Sequence, residues 1–173
     1  MDTRRNSGFT HQEGTSLDPR EITWLRDKVQ NAGARNTILL SHHQPFAAYE
    51  AVSAQPDGVN PSLWDPFKDL TGAITFWFWG HEHDLVIYDP IDRLRGRAIG
   101  FGAVPELAPL NPDQPRPVQE GFTLTTVKDV RPRIDPPYYQ HGYAVVELHG
   151  TTAEVRYYQT SDEQTPVFAE SAP

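Results

Sequence analysis

The chain has 173 residues, with 16 prolines and no cysteine, and its 23 acidic and 15 basic side chains give a formal net charge of −8. This acidic balance argues against a nonspecific nucleic-acid binder, which needs a basic face. Without cysteine the chain can form no disulfide, and any bound metal would have only nitrogen and oxygen donors, which favours zinc, manganese or iron.

The first predicted element is a helix that begins at Pro19. Asp18 can cap this helix, proline suits its first position, and Glu21 can complete a capping box. Apolar residues then recur at helical spacing on one face, and Gly33 is expected to close the helix. A short, mostly apolar strand follows at residues 36–41, and this order of helix and strand is typical of α/β folds.

A second helix–strand unit comes next in the chain. Pro61 begins a helix that is expected to reach Leu70, and Gly72 ends it. The strand Ile74–Trp79 is apolar at nearly every position, which predicts a strand that is buried on both faces. Further short strands are predicted at residues 85–88 and 97–101.

The rest of the chain divides into a proline-rich stretch and a hairpin. Residues 105–137 are predicted to form an irregular, extended excursion, because proline removes a backbone donor and fixes φ. Residues 142–148 and 152–158 have the alternation of two hairpin strands, joined at a turn. The polar tail after Thr160 is expected to fray.

Four of the seven histidines stand directly after two of the predicted strands. His42 and His43 follow the first strand, and His81 and His83 follow the second. Open α/β sheets bind ligands at the carboxyl ends of their strands, and imidazole is the commonest neutral ligand of transition metals. Gly80 is expected to let the chain turn sharply beside a bound ion. The pattern indicates a metal site to which His42, His81 and His83 contribute.

The two motifs resemble those of a known family. A strand followed by Ser-His-His-x-Pro, and a later strand followed by Gly-His-x-His, are similar to the last two motifs of the calcineurin-like metallophosphoesterases, which include purple acid phosphatases and cyclic-nucleotide phosphodiesterases. The resemblance runs from about Leu17 to Tyr158. It implies an α/β fold, a β-sandwich flanked by helices in αββα layers, that hydrolyses phosphoesters with two divalent transition-metal ions (Fe, Mn or Zn). It also implies that His42 and His81 hold one ion and that His83 holds the other.

Three residues beside these ligands are candidates for supporting roles. His43 matches a family position that usually lies outside the ligand set, so packing or an orienting hydrogen bond to a ligand is expected. Glu82 and Asp84 can accept hydrogen bonds from ligands, with ordinary surface carboxylates as the alternative. No catalytic residue is assigned within the chain.

The earlier motifs of the family, Asp-x-His, Gly-Asp-x-x-Asp and Gly-Asn-His-Asp/Glu, do not occur in this sequence. They supply the bridging aspartate, the asparagine and most ligands of one metal. We therefore expect residues 1–173 to form a single partial domain, the C-terminal portion of such an enzyme with an incomplete dinuclear site. The alternatives are a noncatalytic remnant or partner-binding module that needs a separately encoded N-terminal half, and a mononuclear histidine site.

The expected partners follow from this interpretation. They are a small phosphoester substrate and the missing N-terminal half, with no nucleic acid. No apolar run approaches the ~20 residues of a membrane span, and the first residues lack the apolar region of a signal peptide. The compartment stays open, with the cytoplasm as the default.

Overall fold

The computed structural model describes residues 16–48, 58–104 and 134–173. Within these ranges helix α1 spans Pro19–Gln30, helix α2 spans Pro61–Trp64, and a 3-10 turn spans Lys68–Leu70. The strands in chain order are β1 (Thr37–Ser41), β2 (Ile74–Trp79), β3 (Leu85–Ile87), β4 (Arg95–Ile99), β5 (Ile134–Asp135), β6 (Tyr138–Tyr139), β7 (Gly142–His149), β8 (Thr152–Gln159) and β9 (Phe168–Ala172). None of the helices in these ranges is long and apolar enough to cross a membrane.

Two sheets organise the described part of the chain. The first has the order β1-β2-β4-β3, in which β1, β2 and β4 are parallel and β3 runs antiparallel to β4. The second is an antiparallel sheet of the order β7-β8-β9, while β5 and β6 form a separate short pair. The mixed α/β class is therefore confirmed.

The central strand β2 separates two apolar clusters. Trp77 and Trp79 point to the side of α1 and α2, and the ring of Phe67 meets that of Trp77 edge-on at 5.7 Å between centroids. Phe76 and Phe78 point the other way, into the core that the first sheet shares with the inner face of β8 and β9. All six residues of β2 are buried, as the apolar run predicts. The layers are therefore helices, first sheet and second sheet.

Most of the predicted elements are present, with shifts at their ends. The side chain of Asp18 caps α1 by accepting a 2.8 Å hydrogen bond from the backbone N–H of Arg20. Gly33 follows the helix with a left-handed φ of 64°. The second predicted helix is divided into α2 and the 3-10 turn, and β4 begins two residues before its predicted start. The proline-rich stretch 105–137 lies outside the described residues except from Ile134 onward.

The prediction that the chain frays after Thr160 is wrong. The side chain of Asp162 accepts hydrogen bonds at 3.1 Å from the backbone N–H groups of Gln164 and Thr165, which turns the chain back. Strand β9 then pairs with β8 along its whole length. Its alternate residues face the core between the sheets, and this burial outweighs the polar character of the segment.

A buried ion pair joins the two sheets. Arg97 on β4, whose side chain is 3% exposed, donates from Nε and Nη2 to the two carboxylate oxygens of Glu170 on β9, both at 2.6 Å. Its Nη1 donates to the carbonyl oxygens of Tyr88 and Gly96, at 2.7 and 2.6 Å. The hydroxyl of Tyr157 donates to Glu170 Oε1 at 2.8 Å. Because these groups satisfy one another, the pair is tolerated inside the protein and holds the sheets in one relative position.

Substitution Glu170→Gln is expected to destabilise the protein by about 3 kcal/mol, because it leaves the buried Arg97 guanidinium without its counter-charge. Urea unfolding of the variant and the wild type measures the difference. Glu163→Gln, on the exposed turn before β9, is the matched control and should change stability little. A loss below about 1 kcal/mol for Glu170→Gln, the range of surface pairs, would show that the pair does not hold the sheets together.

An exposed ion pair fastens α1 to the 3-10 turn. Arg26 donates from its two terminal nitrogens to Asp69, at 2.7 and 2.6 Å, and also contacts the carbonyl oxygen of Pro66. The hydrogen bonds from Arg26 are the main cause that lowers the pKa of Asp69 from 3.8 to about 2. The pair therefore joins two segments that are 43 residues apart in the chain.

This lowered pKa predicts a pH-dependent contribution of Asp69 to stability. The carboxyl is ionised at a lower pH in the folded than in the unfolded state, so its contribution is complete above pH 3.8 and is lost as the pH falls towards 2. Asp69→Asn should therefore have a lower melting temperature than the wild type at pH 7, and the difference between the two melting temperatures should become smaller as the pH is lowered. The control Asp89→Asn, between β3 and β4, should melt close to the wild type at pH 7. A difference in melting temperature between Asp69→Asn and the wild type that stays constant down to about pH 2 would contradict the role of this pair.

Candidate metal centre

The parallel pairing of β1 and β2 brings the two histidine motifs together. Ser41 and Trp79, the last residues of the two strands, are paired in register. Just beyond them the carbonyl oxygen of His42 accepts hydrogen bonds from the backbone N–H groups of Gly80, at 3.2 Å, and His81, at 2.7 Å. The backbone therefore holds the two loops side by side, independently of any contact between the imidazoles.

Three imidazoles, those of His42, His43 and His81, form a cluster at this edge. Nδ1 of His81 lies 3.3 Å from Nε2 of His42. The ring centroids are 4.6 Å apart for His42 and His43, 4.5 Å for His43 and His81, and 5.1 Å for His42 and His81. One nitrogen of each ring lies within 4.8 Å of the others. His42 and His81 are exposed and His43 is half-buried, so the cluster is open to solvent on one side.

The surroundings favour the neutral form of two of these rings. Burial, with smaller contributions from the nearby His81 and His42, lowers the pKa of His43 from 6.5 to about 4. Burial also lowers the pKa of His81, with His42 and His83 as weaker causes. A neutral imidazole keeps a lone pair on one nitrogen, and this is the form that binds a metal ion. His43 and His81 therefore each present an unprotonated nitrogen at neutral pH.

The structure brings together two of the three predicted ligands, His42 and His81. His43, which was predicted to stand beside the ligands, lies with these two. His83 lies close enough to His81 to affect its pKa, but it is outside the group whose nitrogens lie within 4.8 Å of one another. The described residues therefore bring together a cluster of three imidazoles with His83 at its side.

Glu82 and Asp84 are buried, at 0% and 1% exposure, so neither is an ordinary surface carboxylate. Glu82 Oε2 accepts a 3.2 Å hydrogen bond from the indole of Trp79, and Asp84 Oδ1 accepts one of 2.8 Å from the backbone N–H of Leu85. The first hydrogen bond joins the loop at 80–84 to β2, and the second joins it to β3. The two carboxylates thereby help to position His81 and His83.

Two residues to which the sequence analysis assigns no role also position the cluster. The hydroxyl of Ser41 donates to the carbonyl oxygen of His43 and accepts from the indole of Trp77, both at 2.8 Å. Gly100, at the end of β4, lies so close to the loop at 80–84 that a Cβ there would be 2.1 Å from the carbonyl oxygen of Glu82. By contrast, a Cβ on Gly80 would meet no protein atom within 4 Å.

A second group of possible ligands lies on the outer face of the second sheet. It consists of Glu147 and His149 on β7 and Glu154 on β8. Arg156 forms ion pairs with Glu147 and, at 2.6 Å, with Glu154. Because the guanidinium already pairs with both carboxylates and would repel a cation, we assign no metal site to this group.

Comparison with known proteins adds no family assignment. No protein-family model matches the chain, and no curated protein matches it either. The argument for the role of the histidines therefore depends on their geometry and on the pattern of the two motifs.

The close approach at Gly100 predicts that Gly100→Ala disturbs the histidine loop. An added methyl group would overlap two backbone carbonyl oxygens, those of Glu82 and Gly80, and neither can move without moving the loop. We expect a loss of about 1–3 kcal/mol in stability, the usual cost of overpacking, together with shifted imidazole NMR signals. The control Gly72→Ala has open space and should change neither measurement. Unchanged imidazole signals in Gly100→Ala would contradict this role of the β4 end.

Proposed function

We propose that this chain contributes the histidine ligands of a divalent-metal centre that hydrolyses phosphoesters, as in the calcineurin-like metallophosphoesterases. The observation that carries the proposal is the 3.3 Å approach of the His42 and His81 nitrogens at the carboxyl ends of two adjacent parallel strands. This edge is where open α/β sheets bind their ligands. The helices, the first sheet and the second sheet are stacked in that order, and this stacking supports the assignment of three of the four layers of the αββα arrangement.

The donor set suits the proposed metal. Neutral imidazoles suit zinc and iron, and no thiolate is present in the chain to select another ion. By the family pattern His42 and His81 would share one ion and His83 would bind a second. Bound in this way, two ions would clamp the phosphoryl group and lower the pKa of a bound water. The exposure of His42 and His81 leaves the site open to a substrate.

The proposed centre includes ligands beyond the imidazoles. In the described part of the chain the cluster contains three imidazoles and no carboxylate. Members of the family complete their sites with aspartate and asparagine side chains from motifs that this sequence lacks. We therefore propose that a further polypeptide carrying those motifs, the expected N-terminal half, contributes the remaining ligands.

Hydrolysis of an aryl phosphate ester tests this function. The chain is loaded with Zn²⁺, Mn²⁺ or Fe²⁺ and assayed alone and with a polypeptide that carries the Asp-x-His and Gly-Asn-His motifs. We expect metal-dependent turnover that falls at least about a hundredfold in His81→Asn, since even residues that only support metal ligands contribute about 10–100-fold. The control His149→Asn, on the second sheet, should keep its activity. Absence of turnover under every condition would contradict the proposal.

A noncatalytic, partner-binding module is the second candidate, and an apolar edge favours it. Leu40 on β1 is 60% exposed, and Val146 and Leu148 on β7 are 40% and 67% exposed. Strand pairing places Leu40 beside Phe78, Val146 beside Val155 and Leu148 beside Ala153. The three exposed residues therefore lie on the sheet faces that form the core between the two sheets. Both β1 and β7 end their sheets, within the described residues, and such edges accept strands from a partner.

The two candidates differ in one outcome of the same assay. A noncatalytic module would bind the polypeptide that carries the missing motifs and still give no turnover at any metal concentration. A hydrolase would give turnover that depends on both the added polypeptide and the ion. Substitution Leu148→Lys should weaken binding of that polypeptide in either case, because it places a charge on the apolar edge.

A further inference from the structure

We propose that His42, His43 and His81 bind a single divalent metal ion together, with His43 as the third protein ligand, and that Zn²⁺ is the ion that this set fits best. The proposal extends the proposed function, in which His43 is only a neighbour of the ligands. It rests on that function only in taking His42 and His81 as ligands of one ion.

The separation of the first two nitrogens fits one ion. Zinc lies about 2.0–2.1 Å from histidine nitrogens, so two corners of a zinc tetrahedron are about 3.3–3.4 Å apart. Nδ1 of His81 and Nε2 of His42 are 3.3 Å apart. An ordinary hydrogen bond between nitrogen and its acceptor is shorter, about 2.9–3.0 Å. The observed separation therefore matches the spacing of two ligands of one ion.

The position of His43 makes it the natural third ligand. Its ring centroid is nearly equidistant from those of His42 and His81, at 4.6 and 4.5 Å. One of its nitrogens lies within 4.8 Å of theirs, whereas His83 is outside this group. Its backbone is fixed by the hydrogen bond from Ser41, so rotation of the side chain alone is needed to bring the nitrogen into contact with a shared ion.

The composition of the cluster selects the kind of ion and of fourth ligand. Three imidazoles are typical of catalytic zinc, which keeps a fourth position for water or substrate. Manganese and magnesium prefer oxygen donors, which the three rings do not offer. Because neutral imidazoles leave the charge of the ion uncompensated, the fourth position would attract an anionic oxygen, such as that of a phosphoryl group.

Metal titrations of the chain and of two matched variants test the inference. Calorimetry with Zn²⁺ should give one ion per wild-type chain, and Co²⁺ used as a probe should give the intense visible bands of a four-coordinate site. His43→Gln should weaken binding at least about tenfold and lose these bands, since it removes a ligand. His149→Gln, on the second sheet and outside the cluster, is the matched control and should bind as the wild type does. Wild-type affinity together with wild-type Co²⁺ bands in His43→Gln would overturn the proposal.

A second measurement covers the case in which His43→Gln does not fold. X-ray absorption of the wild-type zinc complex counts the imidazoles around the ion; three support the proposal and two overturn it. The result is separate from the proposed function. One ion bound by three imidazoles without hydrolysis would overturn the phosphoesterase and leave this inference standing, while hydrolysis with two imidazoles on one ion and one on the other would do the opposite.

Discussion

The parallel pairing of β1 with β2 is the contact on which the rest of the arrangement depends. It aligns Ser41 with Trp79, so that the two histidine loops leave the sheet at the same edge and are joined through the carbonyl of His42. A slip of one residue in β2 would exchange its two faces, because side chains alternate along a strand. Trp77 would then leave the helical side, and the loop that carries His81 would shift with the strand.

The other parts of the fold support this edge from two directions. The pair of Arg97 and Glu170 holds the second sheet against the first, and the end of β4 closes on the histidine loop at Gly100. From the opposite face the indole of Trp77 binds Ser41, which in turn binds the backbone of His43. The backbone of the cluster is therefore supported from both sides, while the imidazoles of His42 and His81 are exposed and that of His43 is half-buried.

Local sequence patterns were sufficient to predict those helices and strands whose short-range preferences match their tertiary environment. The cap at Asp18, the apolar run of β2 and the alternation of β8 each reflect a short-range preference that the tertiary structure keeps. β9 could not be predicted in this way, because it is short, follows a polar segment and carries Glu170, a residue that is usually exposed. Its distant partner Arg97, 73 residues away, together with the hydroxyl of Tyr157, makes the burial of that carboxylate favourable.

The sequence by itself determined that four histidines follow two apolar strands, and that any metal they hold would have no sulfur ligand. The tertiary structure alone decided which rings meet. His43 and His83 are each the second histidine of their motif, yet His43 lies with His42 and His81 while His83 lies outside their group. The reason is that a cluster depends on strand register and on the direction of each side chain, and both are set by packing between residues that are far apart in the chain.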